Sequence, residues 1–132
     1  MDSLIPFTVG IGSNTPDREK QVKNAIDFIC ERLSECKVSS VYESPAVSGD
    51  GTTYTNAVLH GRTSMSADQL VTLLKDYESI QERSETENKT GRVVIDLDLV
   101  LYDSRILRPK DFESHYFNRG YSELLAKGAY ID

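Results

Sequence analysis

Apolar residues recur along the chain with two different periods, and the switches between them divide it into elements. Phe7, Val9 and Ile11 alternate between Pro6 and Gly12, which predicts a short buried strand ending in Gly12-Ser13-Asn14. Thr15-Pro16-Asp17 reads as a helix start, with Thr15 as N-cap, Pro16 at the first position and an acid in the first turn. Val22, Ala25, Ile26, Ile29 and Leu33 follow at three-to-four spacing and give that helix one apolar face. Val38 to Val47 is rich in β-branched and aromatic residues and predicts a strand running into Ser44-Pro45. A polar turn cluster at 48–53 leads to a second strand, Tyr54 to Thr63, expected to pair with the first. Ser66-Ala67-Asp68-Gln69 has the pattern of a capping box, and Leu70, Leu73, Leu74 and Tyr77 mark the helix it opens. Glu82 to Gly91 contains no apolar residue and reads as a solvated loop. Val93 to Tyr102 is the most apolar strand of the chain, and the tail from Arg108 to Asp132 is too weakly patterned to assign.

The predicted order is β-α-β-β-α-β. This is the α+β, ferredoxin-like arrangement: an antiparallel sheet with two helices on one face. The length of 132 residues fits a single domain over 1–132. With 39% hydrophobic and 27% charged residues, the composition is that of a globular protein. No apolar run approaches the roughly 20 residues of a membrane span, and the N-terminus has no signal-peptide pattern. Cys30 and Cys36 are too few for a disulfide framework and are expected as reduced thiols of a cytoplasmic protein. A net charge of −6 argues against nucleic acid as a partner. A nucleotide substrate stays open, since Mg²⁺ offsets acidic ligands and phosphates within one site.

Asp96 and Asp98 stand two apart in the last strand, so both side chains point to one face. Two adjacent carboxylates repel, and burying either without a partner is costly. Val94 and Val100 share that face, which makes a fully solvated edge a poor reading. A divalent cation resolves the conflict, because Mg²⁺ takes one or two carboxylates together with phosphate oxygens. Ile95, Leu97 and Leu99 are expected to fill the opposite, buried face. No phosphate-binding Gly-rich loop with Lys, no zinc spacing of Cys and His, and no Gly-x-Ser-x-Gly are present. Arg83, Lys89 and Arg92 flank or lie in the loop before the strand, where basic side chains could close over phosphates. Their interleaving with Glu82, Glu85 and Glu87 also fits an ordinary solvated loop. Tyr54 could stack on a heterocycle and Asn56 could read its edge, or they could be core and cap residues. His115 to Tyr121 gathers a His, an Arg and several rings.

Ile11-Gly12-Ser13-Asn14, Val41-Tyr42-Glu43-Ser44-Pro45, Tyr54-Thr55-Asn56-Ala57-Val58, Glu78, Ile95-Asp96-Leu97-Asp98-Leu99 and His115-Tyr116 with Asn118-Arg119-Gly120 occur in an order and spacing that resemble the 6-hydroxymethyl-7,8-dihydropterin pyrophosphokinase family, over about residues 7–121. The resemblance implies diphosphate transfer from ATP to a hydroxymethyl pterin with two Mg²⁺ ions. It implies Asp96 and Asp98 as metal ligands, with Asp96 also orienting the pterin hydroxyl, and Arg83 and Arg92 as catalytic. It implies Glu78, His115, Tyr116 and Arg119 at the ATP site. Tyr54 and Tyr121 would sandwich the pterin, with Asn56 and the backbone near Ser44, Pro45 and Val47 reading its edge. A monomer is expected, with small molecules as its only partners. The chain departs from the family pattern Trp-Gly-x-Arg-x-x-Asp: Thr90 stands at the Trp, and the arginine comes one residue early, at Arg92. A one-residue shift in a strand turns a side chain to the other face. Thr86 replaces a second basic residue of the loop, and the chain stops soon after Asn118-Arg119-Gly120, where the family usually continues. Such losses would slow phosphoryl transfer more than they would weaken pterin binding. The alternative implied is a catalytically impaired pterin- or nucleotide-binding paralogue on the same fold.

Overall fold

The computed structural model describes residues 4–46, 49, 51–84 and 93–128, and for residues 83 and 84 the backbone alone. Its elements run β1 (Ile5–Ser13), α1 (Arg18–Arg32), β2 (Ser34–Val38), β3 (Tyr42–Pro45), β4 (Thr53–Thr63), α2 (Ala67–Ser84), β5 (Asp96–Tyr102), β6 (Arg105–Ile106), α3 (Pro109–Glu113) and α4 (His115–Ala126). The sheet is six-stranded and wholly antiparallel, in the order β2-β4-β1-β5-β6, with β3 also paired to β4. This is the expected α+β, ferredoxin-like plan.

Alternation along the strands sorts side chains onto two faces. On one face Phe7, Val9, Ile11, Ala57, Leu59, Leu97 and Leu99 meet Val22, Ala25 and Ile29 of α1 and Leu70, Leu74 and Tyr77 of α2. Each large side chain buried here contributes roughly 2 kcal/mol. The Phe28 and Tyr77 rings stack at 4.3 Å and fasten α1 to α2. The capping box forms as expected: the Gln69 amide donates to Ser66 Oγ at 3.2 Å, and the Ser66 amide donates to Gln69 Oε1 at 2.9 Å.

Three local expectations shift. Helix α1 begins at Arg18, after a turn in which Thr15 Oγ1 donates to Asp17 Oδ1 at 2.7 Å. Thr15 therefore closes the turn rather than capping the helix. The strand expected over 38–47 is broken at Ser39: its hydroxyl accepts the Val58 amide at 2.9 Å, in the place of a strand carbonyl. The unassigned tail forms α3 and α4, and α4 covers the second face of the sheet, where Phe117 and Leu124 pack on Val58 and Val100. Ser114 caps α4, accepting the Phe117 amide at 3.4 Å. Among the described residues no helix is long and apolar enough to cross a membrane.

Candidate active site

The second face is open at one end of the sheet, and there β1 presents glycine in place of side-chain bulk. Gly10 and Gly12 of β1 lie opposite Asp98 and Asp96 of β5. A cavity of about 270 Å³ sits over them. Its other walls include Ser44, Pro45 and Ala46 of β3 and its exit, Tyr54 and Asn56 of β4, Asp111 of α3, and Tyr116 and Phe117 of α4. Six elements from across the chain thus supply one site.

Asp96 and Asp98 share a face as expected, while Leu97 and Leu99 are buried in the core behind them. Burial and the neighbouring Asp98 carboxylate push the Asp96 carboxyl up to about 7, with Glu78 adding to the rise and Lys75 opposing it. The charges around the pair are organised. Lys75 Nζ on α2 lies 3.4 Å from Asp98 and 3.9 Å from Asp96. Arg108 Nε lies 3.7 Å from Asp98 and also donates to Asp111. The Tyr116 hydroxyl donates to the other Asp111 oxygen, and burial with this bond pushes it up to about 12.

Among the described residues no three His, Cys, Asp or Glu side chains gather into a complete metal site. The Asp96/Asp98 pair nevertheless fits Mg²⁺: its donors are all carboxylate oxygens, and it already attracts an ammonium group. A hard cation so bound completes its shell with phosphate oxygens and water.

The other expected residues divide. Asn56 is 5% exposed, and its Nδ2 donates to Ser44 Oγ at 2.7 Å, which fixes its rotamer against β3. Tyr54 and Tyr116 line the cavity. Glu78 does not line it: its Oε2 accepts the Leu97 amide at 2.6 Å and Lys75 Nζ at 2.9 Å, fastening α2 to β5 behind the aspartates. His115 is exposed at the start of α4, with its ring 6.5 Å from that of Tyr116. Arg119 lies over the Tyr42 ring at 4.9 Å. Tyr121 stacks on Phe117 at 5.4 Å and is not among the residues lining the cavity, whereas Tyr116 and the nearly buried Phe117 are. Val47, Arg92 and the Arg83 side chain lie outside the described residues.

Sequence reasoning did not single out Gly10, Lys75, Arg108, Asp111 or Phe117. The Gly-x-Gly spacing of a strand that keeps Val9 and Ile11 on its other face was the available signal for the glycine floor. The Ile11-Gly12-Ser13-Asn14 block has a further role. Asn14 Oδ1 accepts the Val93 amide at 2.6 Å, and the Asn14 amide donates to the Val93 carbonyl at 3.0 Å. This pair of bonds ties Val93 to the end of β1, and β5 begins three residues later at Asp96.

The family model for 7,8-dihydro-6-hydroxymethylpterin-pyrophosphokinase matches residues 8–125. The chain is also 35% identical over 103 residues to the 2-amino-4-hydroxy-6-hydroxymethyldihydropteridine pyrophosphokinase of Aquifex aeolicus (strain VF5). That match covers 77% of this chain and 64% of the relative, so the chain spans less than two-thirds of the relative's length. The residues matched by the family model take in the glycine floor, the aspartate pair and the start of α4 together. By descent as well as by architecture, the chain belongs to the 7,8-dihydro-6-hydroxymethylpterin-pyrophosphokinase family.

Proposed function

We propose that the chain transfers the terminal diphosphate of ATP to the hydroxymethyl group of 6-hydroxymethyl-7,8-dihydropterin, as the diphosphotransferase step of folate biosynthesis. The observation that carries this reading is the single cavity in which Asp96 and Asp98 face Tyr54, Asn56 and Ser44. A ring-stacking and edge-reading wall thereby stands beside a cation-attracting pair.

In this reading the pterin ring lies on the Tyr54 face, with Asn56, Ser44 and the backbone of Pro45 and Val47 along its edge. Tyr121, the second stacking ring that the family resemblance implies, packs on Phe117 beside the cavity. Asp96 orients the hydroxymethyl oxygen toward the β-phosphorus of ATP. The new bond forms between that oxygen and phosphorus, the bond from this phosphorus to the αβ-bridging oxygen breaks, AMP leaves, and the hydroxyl proton is released. Tyr116, with His115 and Arg119 on α4, holds the nucleotide, and Glu78 fixes the strand that carries the aspartates. Arg83 and Arg92 supply positive charge to the phosphates. Two Mg²⁺ ions held by Asp96 and Asp98 supply charge neutralisation at the phosphate oxygens. Positioning and charge stabilisation carry most of such a reaction. The chain acts as one cytoplasmic, monomeric domain over residues 1–132, without nucleic acid or membrane as partner.

The test is direct. The protein is incubated with ATP, Mg²⁺ and the hydroxymethyl dihydropterin, and AMP is quantified. AMP formed in step with diphosphorylated pterin, and lost in Asp96→Ala and Asp98→Ala, is the expected result. Folded protein that binds the pterin and yields no AMP above background overturns it. That outcome selects the impaired paralogue, which the early arginine at Arg92 favours.

A further inference from the structure

Lys75 is the one basic side chain that α2 sends to the acidic pair among the described residues, and it arrives at short range. Its Nζ lies 2.9 Å from Glu78 Oε2, 3.0 Å from the Leu97 carbonyl, 3.4 Å from Asp98 Oδ1 and 3.9 Å from Asp96 Oδ1. An ammonium has three protons, and the three nearest oxygens are enough to take them all. Residues 75 and 78 are a turn apart on α2, so the lysine and the glutamate reach the edge of β5 together. The Leu97 peptide lies between the two aspartates: its amide donates to Glu78 and its carbonyl accepts from Lys75.

We propose that Lys75 is a resident counter-cation of the Asp96/Asp98 pair, a positioning residue that keeps the carboxylates together in the ligand-free protein and must be displaced, wholly or in part, when a divalent cation enters. The inference rests on the reading of Asp96 and Asp98 as metal ligands. Its basis is spatial: an ammonium and a divalent cation compete for the same carboxylate oxygens. Two further observations support it. The Lys75 side chain is 44% exposed, so it has a route into solvent that leaves the core undisturbed. The charge balance also matters. Among the described residues, Asp96, Asp98, Glu78 and Asp111 are four carboxylates served within 4 Å by two cations, Lys75 and Arg108. The described carboxylates outnumber the described cations beside them, so a divalent ion entering the pair supplies the charge that Lys75 supplies in its absence.

The experiment uses Mn²⁺ alone, without nucleotide or pterin. Its affinity for the full chain is measured by the loss of the free-ion electron paramagnetic resonance signal, and thermal unfolding is followed in parallel. Lys75→Gln removes the competing charge, and the Mn²⁺ Kd is expected to tighten by about tenfold, the scale of one unit charge acting through partly solvated surroundings. The same variant loses the bond to the Leu97 carbonyl, so its metal-free melting temperature falls. Lys75→Arg keeps the charge and is expected to hold Kd within about threefold of the parent, since it preserves the same Coulomb term. A lysine with a purely structural role lowers the melting temperature and leaves Kd unchanged or weaker, and that result overturns the inference. If neither the parent nor Lys75→Gln binds Mn²⁺, and Asp98→Asn is indistinguishable from both, the metal assignment falls and the inference with it. Unchanged Kd in Lys75→Gln, with Mn²⁺ binding abolished in Asp98→Asn, overturns this inference alone.

Discussion

Replacing Gly120 by alanine sets two physical effects against each other with opposite signs. Gly120 lies inside α4, where alanine is a better helix former by about 1 kcal/mol. Propensity alone therefore predicts a more stable protein. The surroundings predict the reverse. A Cβ at this position would lie 2.6 Å from Val58 Cγ2, 2.9 Å from Val58 Cβ and 2.9 Å from the Tyr42 hydroxyl. Normal carbon contacts are about 3.5–4.0 Å, so α4 or the sheet must yield by roughly 1 Å. Neither neighbour is free to move. Val58 is 1% exposed, pairs with Gly10, and its branched side chain is stiff at χ1. Tyr42 is 5% exposed, accepts the Gly120 amide at 3.2 Å and donates to the Tyr116 carbonyl. Overpacking costs about 1–3 kcal/mol, and a strained hydrogen bond adds roughly 1 kcal/mol. After subtracting the propensity gain, the expected net loss is about 2 kcal/mol. Urea titration should show the midpoint falling by roughly 1 M at unchanged m. Because Tyr116 and Phe117 stand one turn earlier and line the cavity, pterin binding should weaken in parallel. A Gly120→Ala protein as stable as the parent, or more stable, refutes the claim that α4 is seated by this contact.

Other predictions follow from charge and capping. In the metal-free protein the raised Asp96 carboxyl binds its proton more tightly folded than unfolded. Its contribution to stability is complete below about pH 4 and is lost as pH rises through 7. The side chain is 49% exposed, so solvent screening limits the change to about 1 kcal/mol; Asp96→Asn should flatten this limb of the pH–stability curve, and Mg²⁺ should reverse it. His60 behaves oppositely: burial, then Arg62 and Lys37, hold it down at about 4. Its contribution is present above pH 6.5 and is lost as pH falls toward 4, by up to about 3 kcal/mol. The two groups oppose each other across that window, so His60→Gln should expose the Asp96 slope in denaturant titrations at pH 4–7. Ser66→Ala removes half of the capping box and should cost about 1 kcal/mol by calorimetry, with no effect on nucleotide binding, since Ser66 is remote from the cavity.

What the sequence disclosed depended on whether local period and tertiary contact agreed. The stripes of α1 and α2 and the alternation of β1 and β5 face a single core, so Val22, Ile29, Leu70 and Leu97 could be read directly. Helix α4 also has a stripe, Phe117, Gly120 and Leu124, but a glycine at its centre reads as a helix breaker. Only the nearness of Val58 and Tyr42 reveals that this glycine serves close packing. Ser39 likewise looked like a strand residue, because the bond that breaks the strand is made by its side chain to a residue nineteen positions away. At the site, Asp96 and Asp98 declared themselves by unpaired charge in an apolar frame. Asp111 and Phe117 did not, since they join the cavity only through the packing of the tail. Tyr121 was drawn to the site by the pattern of its block, whereas in the structure its ring packs on Phe117, a contact that the pattern does not indicate.

The glycines at 10 and 12 make the floor of the cavity out of main chain already locked into two ladders, β4 on one side and β5 on the other. Phe117 lies 3.5 Å from the Cβ position at Gly10, and Asn56 and Tyr54 lie within 3.6 Å of that at Gly12, so the walls close down onto a floor that has no rotamers of its own to order on binding. Selectivity must then reside in the walls, where Asn56, Ser44 and Tyr54 can be exchanged without touching the sheet's interior face. The floor acts as a fixed flat bench whose shape is inherited with the fold. A family built on it can change what it recognises by altering a few rim residues while the depth of the site stays constant.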